Sequence, residues 1–204
     1  MIDLSGKTAV VTGGSRGIGR AVATTLAAAG ARVVIADRSD ALRTDGNSTS
    51  DIITAAGGAA ESVLLDISDS QQVDAVFGDI ATRFGIDILV NNAGVLSAGT
   101  VLETTDEAWR SMFAVNVDGT FFCTRAAIRH MVDAGKGGKV VNVASISGLR
   151  ANPGFAGYCA AKGAMVNFTR QVGIDYAPLG INVNGVAPGF VETDMTAIYD
   201  ASIR

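Results

Sequence analysis

The chain has 204 residues, 48% hydrophobic and 18% charged, with a formal net charge of −4. That length and apolar fraction suit one domain over residues 1–204 with a sizeable core, and the mild acidity leaves no basic footprint for nucleic acid. No apolar run reaches the ~20 residues that span a bilayer, and the opening MIDLSGKTAVVTGG lacks the charged-then-apolar plan of a secretory signal, so a cytoplasmic protein without membrane contact is expected.

Short β-branched runs alternate with longer helix-compatible stretches. In chain order, TAVVT (8–12) predicts a strand and 17–30 a helix. RVVIAD (32–37) predicts a strand, 40–56 a helix, ESVLLD (61–66) a strand and 70–84 a helix. DILVNN (87–92) predicts a strand, and 105–133 one long helix. KVVNVAS (139–145) predicts a strand, 157–178 a helix, and INVNGVA (181–187) a sixth strand. Most of these strands are nearly continuous apolar runs, which suits a parallel sheet buried on both faces. Right-handed crossovers then make a doubly wound, Rossmann-type α/β sheet with helices on both faces. Such sheets bind ligands beyond the carboxyl ends of their strands.

After the first strand comes GGSRGIGRAVA, with Gly13, Gly17 and Gly19 spaced G-x-x-x-G-x-G. The glycines permit a tight turn and close backbone approach, and the helix starting near Gly17 aims free N–H groups at an anion. Gly13, Ser15, Arg16, Gly17, Ile18 and Gly19 are therefore candidate phosphate-binding positions. Asp37 ends the second strand, where a carboxylate can accept hydrogen bonds from both hydroxyls of an adenosine ribose. It would repel a 2′-phosphate, whereas Arg16 and Arg38 would attract one. Repulsion at close range is hard to offset, so NAD is expected over NADP. Asp66 and Ile67, after the third strand, are candidates for the adenine edge.

Two cysteines, Cys123 and Cys159, form no metal or redox motif, and no metal is expected. Cys159 reads as a small packing residue and Trp109 as an anchor of its helix in the core or an interface. The single histidine, His130, falls near a predicted helix end, without the context that a Ser-His-Asp hydrolase requires.

The fourth strand runs into NNAG (Asn91–Gly94). Together with TGGSRGIG, Asn116 in VNVDG, Ser145 in NVASISG, and Tyr158 and Lys162 in YCAAK, this resembles the short-chain dehydrogenase/reductase family in its one-domain form. The six motifs stand in order along essentially the whole chain. The nearest flavour is that of 3-oxoacyl-acyl-carrier-protein reductases and related sugar or alcohol dehydrogenases. The resemblance implies an NAD(P)-dependent oxidoreductase that interconverts a ketone and a secondary alcohol. It implies Tyr158 as proton donor and acceptor, and Ser145, thirteen positions earlier, as the hydroxyl that orients the substrate oxygen. It implies Asn116 as holder of a water linking Lys162 to solvent. Asn92, Ala93 and Gly94, with Pro188, Gly189, Val191 and Thr193 after the sixth strand, join the cofactor set, the last four around the nicotinamide. Ser147 and Phe155 line the substrate end.

The tyrosine–lysine spacing has its own chemistry. Free phenol titrates near ~10 and free ammonium near ~10.4. Four residues apart on a helix they share a face, so the ammonium can favour phenolate. Moving a phenol to near neutrality takes about three pKa units, roughly 4 kcal/mol, which a close cation in a poorly solvated cleft largely provides.

The resemblance also implies a substrate-covering loop and helix, a further helix and a seventh strand beyond this point. The sequence ends at TAIYDASIR (196–204) with the start of the covering segment. An exposed sheet edge and a bare apolar patch are the expectation. Members commonly pair the fifth- and sixth-strand helices across a two-fold axis, so a homodimer or homotetramer is expected. The residues for that contact would be Phe113, Phe121, Phe122, Ile128 and Met131 on the first helix and Met165, Phe168, Val172 and Ile174 on the second, with Ala160, Ala161, Gly163 and Ala164 allowing close approach. The rival reading is a dinucleotide-binding sensor or partner subunit with little catalysis.

Overall fold

A computed structural model describes residues 2–38 and 46–197. The chain runs β1 (Thr8–Thr12), α1 (Gly17–Ala28), β2 (Arg32–Asp37), α2 (Thr49–Ala55), β3 (Ala59–Leu64), α3 (Ser70–Phe84), β4 (Ile88–Asn91), α4 (Asp106–Phe113), a π-helical stretch (Ala114–Gly119), α5 (Thr120–Ala134), β5 (Gly138–Val143), α6 (Ala156–Tyr176) and β6 (Ile181–Val186). The strands form one sheet in the order β3-β2-β1-β4-β5-β6, and every pair is parallel. This is the doubly wound Rossmann-type sheet. Its order reverses between β1 and β4, which opens a crevice at their carboxyl ends. Among the described residues, no helix is long and apolar enough to cross a membrane.

Successive strand residues point to opposite faces, so each inner strand feeds two cores. Val10, Val34, Leu89 and Val140 meet Phe77 and Ile80 of α3 and Ala127 and Met131 of α5. Ala9, Val11, Val33 and Ile35 meet Ala23 and Ala27 of α1 and Ile53 of α2. Phe77 is wholly buried, which contributes about 1.5–3 kcal/mol on its own.

Four expectations need correction. Burial on both faces holds for β1 and β4 but not for the edges. β3 is mostly exposed or half-buried, and in β6 only Ile181 and Val183 are buried. β3 also starts two residues earlier than expected, at Ala59, since Leu65 is buried by packing beyond the strand rather than within it. The predicted helix 40–56 begins at Thr49, where Ser48 and Asp51 form a reciprocal capping box; residues 40–45 lie outside the described part. The helix 105–133 is divided by the π-helical stretch.

A buried polar ladder crosses the sheet under its carboxyl end. Asn91 Nδ2 donates to Thr124 Oγ1 and to Asn142 Oδ1, both at 2.8 Å. Asn142 Nδ2 donates to Thr169 Oγ1 at 2.8 Å. Four elements, α5, β4, β5 and α6, are thereby tied by side chains that water does not reach.

Of the apolar residues expected at a subunit contact, Ile128, Met131, Met165 and Val172 are used up in the core of this chain. Phe121 and Ile174 remain exposed, and Phe121 stands edge-on to Phe168 at 6.2 Å. Of the two places expected for Trp109, core or interface, the core does not hold: it is 42% exposed and stacks on Phe113 with centroids 4.7 Å apart.

Candidate active site

The glycine-rich turn is built to leave its backbone bare. α1 starts without a side-chain cap, its Ncap residue Arg16 being extended. Its first N–H groups therefore await an external acceptor. Gly13 has φ +62°, and a Cβ there would stand 2.8 Å from Ala93 Cα. A Cβ on Gly19 would run into the Gly13 carbonyl oxygen and Asn92 Nδ2. Asn92 stitches this turn to the loop after β4. Its Nδ2 donates to the carbonyls of Thr12 and Gly13 at 3.0 and 2.9 Å, while Thr12 Oγ1 accepts from the amides of Asn92 and Ala93 at 3.1 Å each.

Two residues behind the turn escaped sequence reasoning. Arg20 is buried and donates through its Nε (2.9 Å) and one terminal nitrogen (2.5 Å) to the Ser15 carbonyl. Thr49 Oγ1 donates to the Gly14 carbonyl at 2.9 Å. Arg20 and Thr49 thereby hold the carbonyls of Ser15 and Gly14, while the Gly13 amide donates to the Ala36 carbonyl at 2.8 Å. Arg20 carried one signal, a charged residue inside the small-residue run GIGRAVA; Thr49 carried none.

Asp37 closes the far side of the turn. Its carboxylate accepts from Ser15 N (3.2 Å) and Arg38 N (2.8 Å), so its position is fixed by backbone. Asp66 accepts from the Ser68 amide and hydroxyl at 2.9 and 2.6 Å. Burial pushes its pKa up, but the Ser68 hydrogen bonds and the Arg38 charge outweigh that and hold it below the ordinary carboxylate value.

At the other end, β5 and α6 bring Ser145, Tyr158 and Lys162 to one wall. Ser145 follows β5 in an extended conformation, and its Oγ accepts from Ser147 N at 3.1 Å. It is thus also the cap of the turn Ile146–Gly148. That turn presses on α6: a Cβ at Gly148 would meet the Lys162 carbonyl at 2.6 Å. Lys162 Nζ donates to the Val143 carbonyl at 2.8 Å and lies 5.9 Å from the centre of the Tyr158 ring. Burial lowers the lysine pKa to about 8.

Asn116 sits in the π-helical stretch, fully buried. Its side chain exchanges two hydrogen bonds with the Val95 backbone, 3.0 Å from Val95 N and 2.9 Å to Val95 O. Asn116 Oδ1 and Lys162 Nζ both border Gly94, 2.8 and 3.7 Å from where its Cβ would be. A π-turn frequently marks a functional position; here it puts an amide against the loop after β4.

These parts face one cleft of about 780 Å³. Its turn end is lined by Gly13, Arg16, Gly17 and Ile18, and its β2–β3 side by Asp37, Asp66 and Ile67. Asn92, Ala93 and Gly94 form the floor, and Ser145, Ser147, Phe155, Tyr158 and Lys162 the opposite end. Pro188, Gly189, Val191 and Thr193 line it too, from the segment after β6, where Arg16 comes within 3.9 Å of Asp194. Ser15, Gly19 and Asn116 do not line the cleft: they support it from behind. Arg150, Asn152, Leu96 and Phe190 also line it and were not anticipated. Cys159 and His130 stand outside it, and among the described residues no cluster of His, Cys, Asp or Glu could hold a metal ion.

The family described as short chain dehydrogenase matches residues 7–203. The chain belongs to the short-chain dehydrogenase family. Relatives within it include a sorbitol dehydrogenase of Cereibacter sphaeroides, 42% identical over 93% of this chain and 72% of that protein. A 3-oxoacyl-acyl-carrier-protein reductase of Synechocystis sp. is 39% identical over 98% of this chain and 81% of its own. Among solved short-chain dehydrogenase structures, a gluconate 5-dehydrogenase from Burkholderia cenocepacia J2315, in complex with NADP and tartrate, superimposes with a TM-score of 0.90 at 36% identity, covering 98% of this chain and 78% of that one. This short-chain dehydrogenase is accordingly an oxidoreductase.

Proposed function

We propose that this protein interconverts a ketone and a secondary alcohol with a bound nicotinamide dinucleotide, Tyr158 exchanging the proton. The carrying observation is that Ser145, Tyr158 and Lys162 share one cleft with the glycine turn. The turn fits a dinucleotide: side chains are excluded at Gly13 and Gly19, and the uncapped start of α1 suits a pyrophosphate. Asp37 would hold the adenosine ribose, and Pro188, Gly189, Val191 and Thr193 the nicotinamide end. When bound, the dinucleotide supplies the two-electron chemistry.

The chain's own task is acid–base work and positioning. The Tyr158 hydroxyl gives its proton to the carbonyl oxygen in reduction and regains one in oxidation. Lys162, with a pKa of about 8, keeps its positive charge at neutral pH and favours the phenolate of Tyr158. Ser145 Oγ accepts from the Ser147 amide, which leaves its own O–H to donate to the substrate oxygen as negative charge develops. Asn116, locked to Val95, keeps the widened turn beside Lys162 at the inner end of a proton route.

NAD is the preferred dinucleotide in this reading, because Asp37 is held by two backbone amides and cannot swing away from a 2′-phosphate. Bound NADP in the gluconate 5-dehydrogenase makes this a point to test. Steady-state kinetics on a ketone panel with both reduced cofactors should give turnover and a higher kcat/KM with NADH. A strong NADPH preference would show that Arg16 or Arg38 dominates. Binding without turnover on every ketone would favour the sensor reading.

The same reading includes a cytoplasmic location and at least a homodimer through α5 and α6, supported by the exposed Phe121 and Ile174. Light scattering at micromolar concentration should report a dimer or tetramer; an active, monodisperse monomer would overturn it.

A further inference from the structure

The charges of the cleft are sorted by end. Around the glycine turn and the β2–β3 side, cations and carboxylates are mixed: Arg16 and Arg38 stand with Asp37, Asp66 and Asp194. The lining residues that run from Val143 to Lys162, the stretch that holds Ser145 and Tyr158, include two cations, Arg150 and Lys162, and no carboxylate. Lys162 is buried and already donates to the Val143 carbonyl. Arg150 is exposed and, among the described residues, makes no ion pair.

The segment carrying Arg150 is fixed to the reaction centre. The Arg150 amide donates to the Ile146 carbonyl at 3.0 Å, at the end of the turn that Ser145 caps. Two residues on, Asn152 Nδ2 reaches Ser147 Oγ at 3.5 Å. Ser147, Asn152 and Arg150 add polar groups to the cleft lining beside Ser145, Tyr158 and Lys162, and Leu96, Phe155 and Phe190 add apolar ones. A guanidinium presents a planar fork that matches a carboxylate.

We propose that the substrate carries a carboxylate received by Arg150, so that the natural pair is a keto acid and its hydroxy acid, with Ser147 and Asn152 bonding further hydroxyls. Arg150 then determines specificity and takes no part in the proton transfer. This rests on the oxidoreductase reading above.

A matched pair of ketones tests it. 5-Ketogluconate and sorbose differ only in a carboxylate against a hydroxymethyl group. With NADH, kcat/KM should be about 10- to 100-fold higher for the acid, the worth of a charge-assisted hydrogen bond. Arg150→Gln should collapse that ratio toward one, mainly through KM for the acid, and Arg150→Lys should restore part of it. Equal kcat/KM for the two ketones, a ratio that Arg150→Gln leaves in place, or turnover of neutral ketones such as acetoin without turnover of the acid overturns the inference while leaving the oxidoreductase reading intact. If no ketone is reduced, that reading falls, and thermal shift of the NAD-saturated protein decides Arg150 separately. Gluconate should raise Tm in the wild type but not in Arg150→Gln, with sorbitol as the neutral control; equal shifts in the two proteins overturn the proposal.

Discussion

Replacing Tyr158 by phenylalanine is expected to lower kcat by about 10²–10⁴-fold, the contribution of a positioned acid–base group, with dinucleotide affinity unchanged. The substitution deletes one oxygen and keeps the ring near the Lys162 ammonium, 5.9 Å from its centre. Ser145 remains held by the Ser147 amide. The glycine turn and Asp37 lie at the far end of the cleft and are fixed by their own bonds. An interaction made only in the transition state lowers kcat and kcat/KM together, and that is the pattern to look for. Steady-state kinetics with saturating ketone gives the first quantity and fluorescence titration of NADH the second. Near-normal kcat in the variant would remove Tyr158 from the proton transfer.

Lys162 sets the next largest effect, on stability. Its pKa falls from 10.5 to about 8 in the folded protein because the ammonium is buried. Below about 8 the lysine is protonated in both states, and burying the charge costs in full. Between about 8 and 10.5 the unfolded chain holds a proton that the folded one has released, so unfolding becomes harder as pH rises. The span corresponds to about 3 kcal/mol at 1.36 kcal/mol per unit. Denaturant midpoints of the cofactor-free protein should therefore rise across this interval relative to Lys162→Met, whose curve lacks this contribution. The difference between the two proteins isolates the lysine from the other groups that titrate there. Parallel curves would show that Lys162 keeps its ordinary pKa. The cost is tolerated at a position whose charge is wanted beside Tyr158.

Much of this architecture was legible because the inner strands and their helices obey simple periodicities. TAVVT, RVVIAD and the helix 70–84 have the predicted bounds. The edge strand was misplaced because its start, Ala59-Ala60, has weak strand character, while Leu65, beyond its end, looks like part of the apolar run. The π-helical stretch could not be read. AVNVDG is ordinary helix-compatible sequence, and the wider turn coincides with Asn116 pairing with Val95 across 21 positions, a contact only the fold brings about. The site residues that line the cleft follow strand ends and motifs, which sequence displays. Arg20, Thr49 and Arg150 do not, since their roles depend on which distant backbone or cavity the fold brings to them.

The ladder under the sheet bears on how the strands find their alignment. β4 and β5 are short apolar runs, and a slip by two residues would keep every side chain on its own face. Burial alone would scarcely object. In the native pairing Asn91 stands opposite Asn142. A two-residue slip would set Asn91 against Val140 or Ala144 and strand a buried amide, at about 1–3 kcal/mol for each group left unmet. The asparagine pair therefore acts as a registration mark. It fixes the height at which the two strands end, and so keeps the loop of Asn92 and Gly94 level with Ser145 on the neighbouring strand.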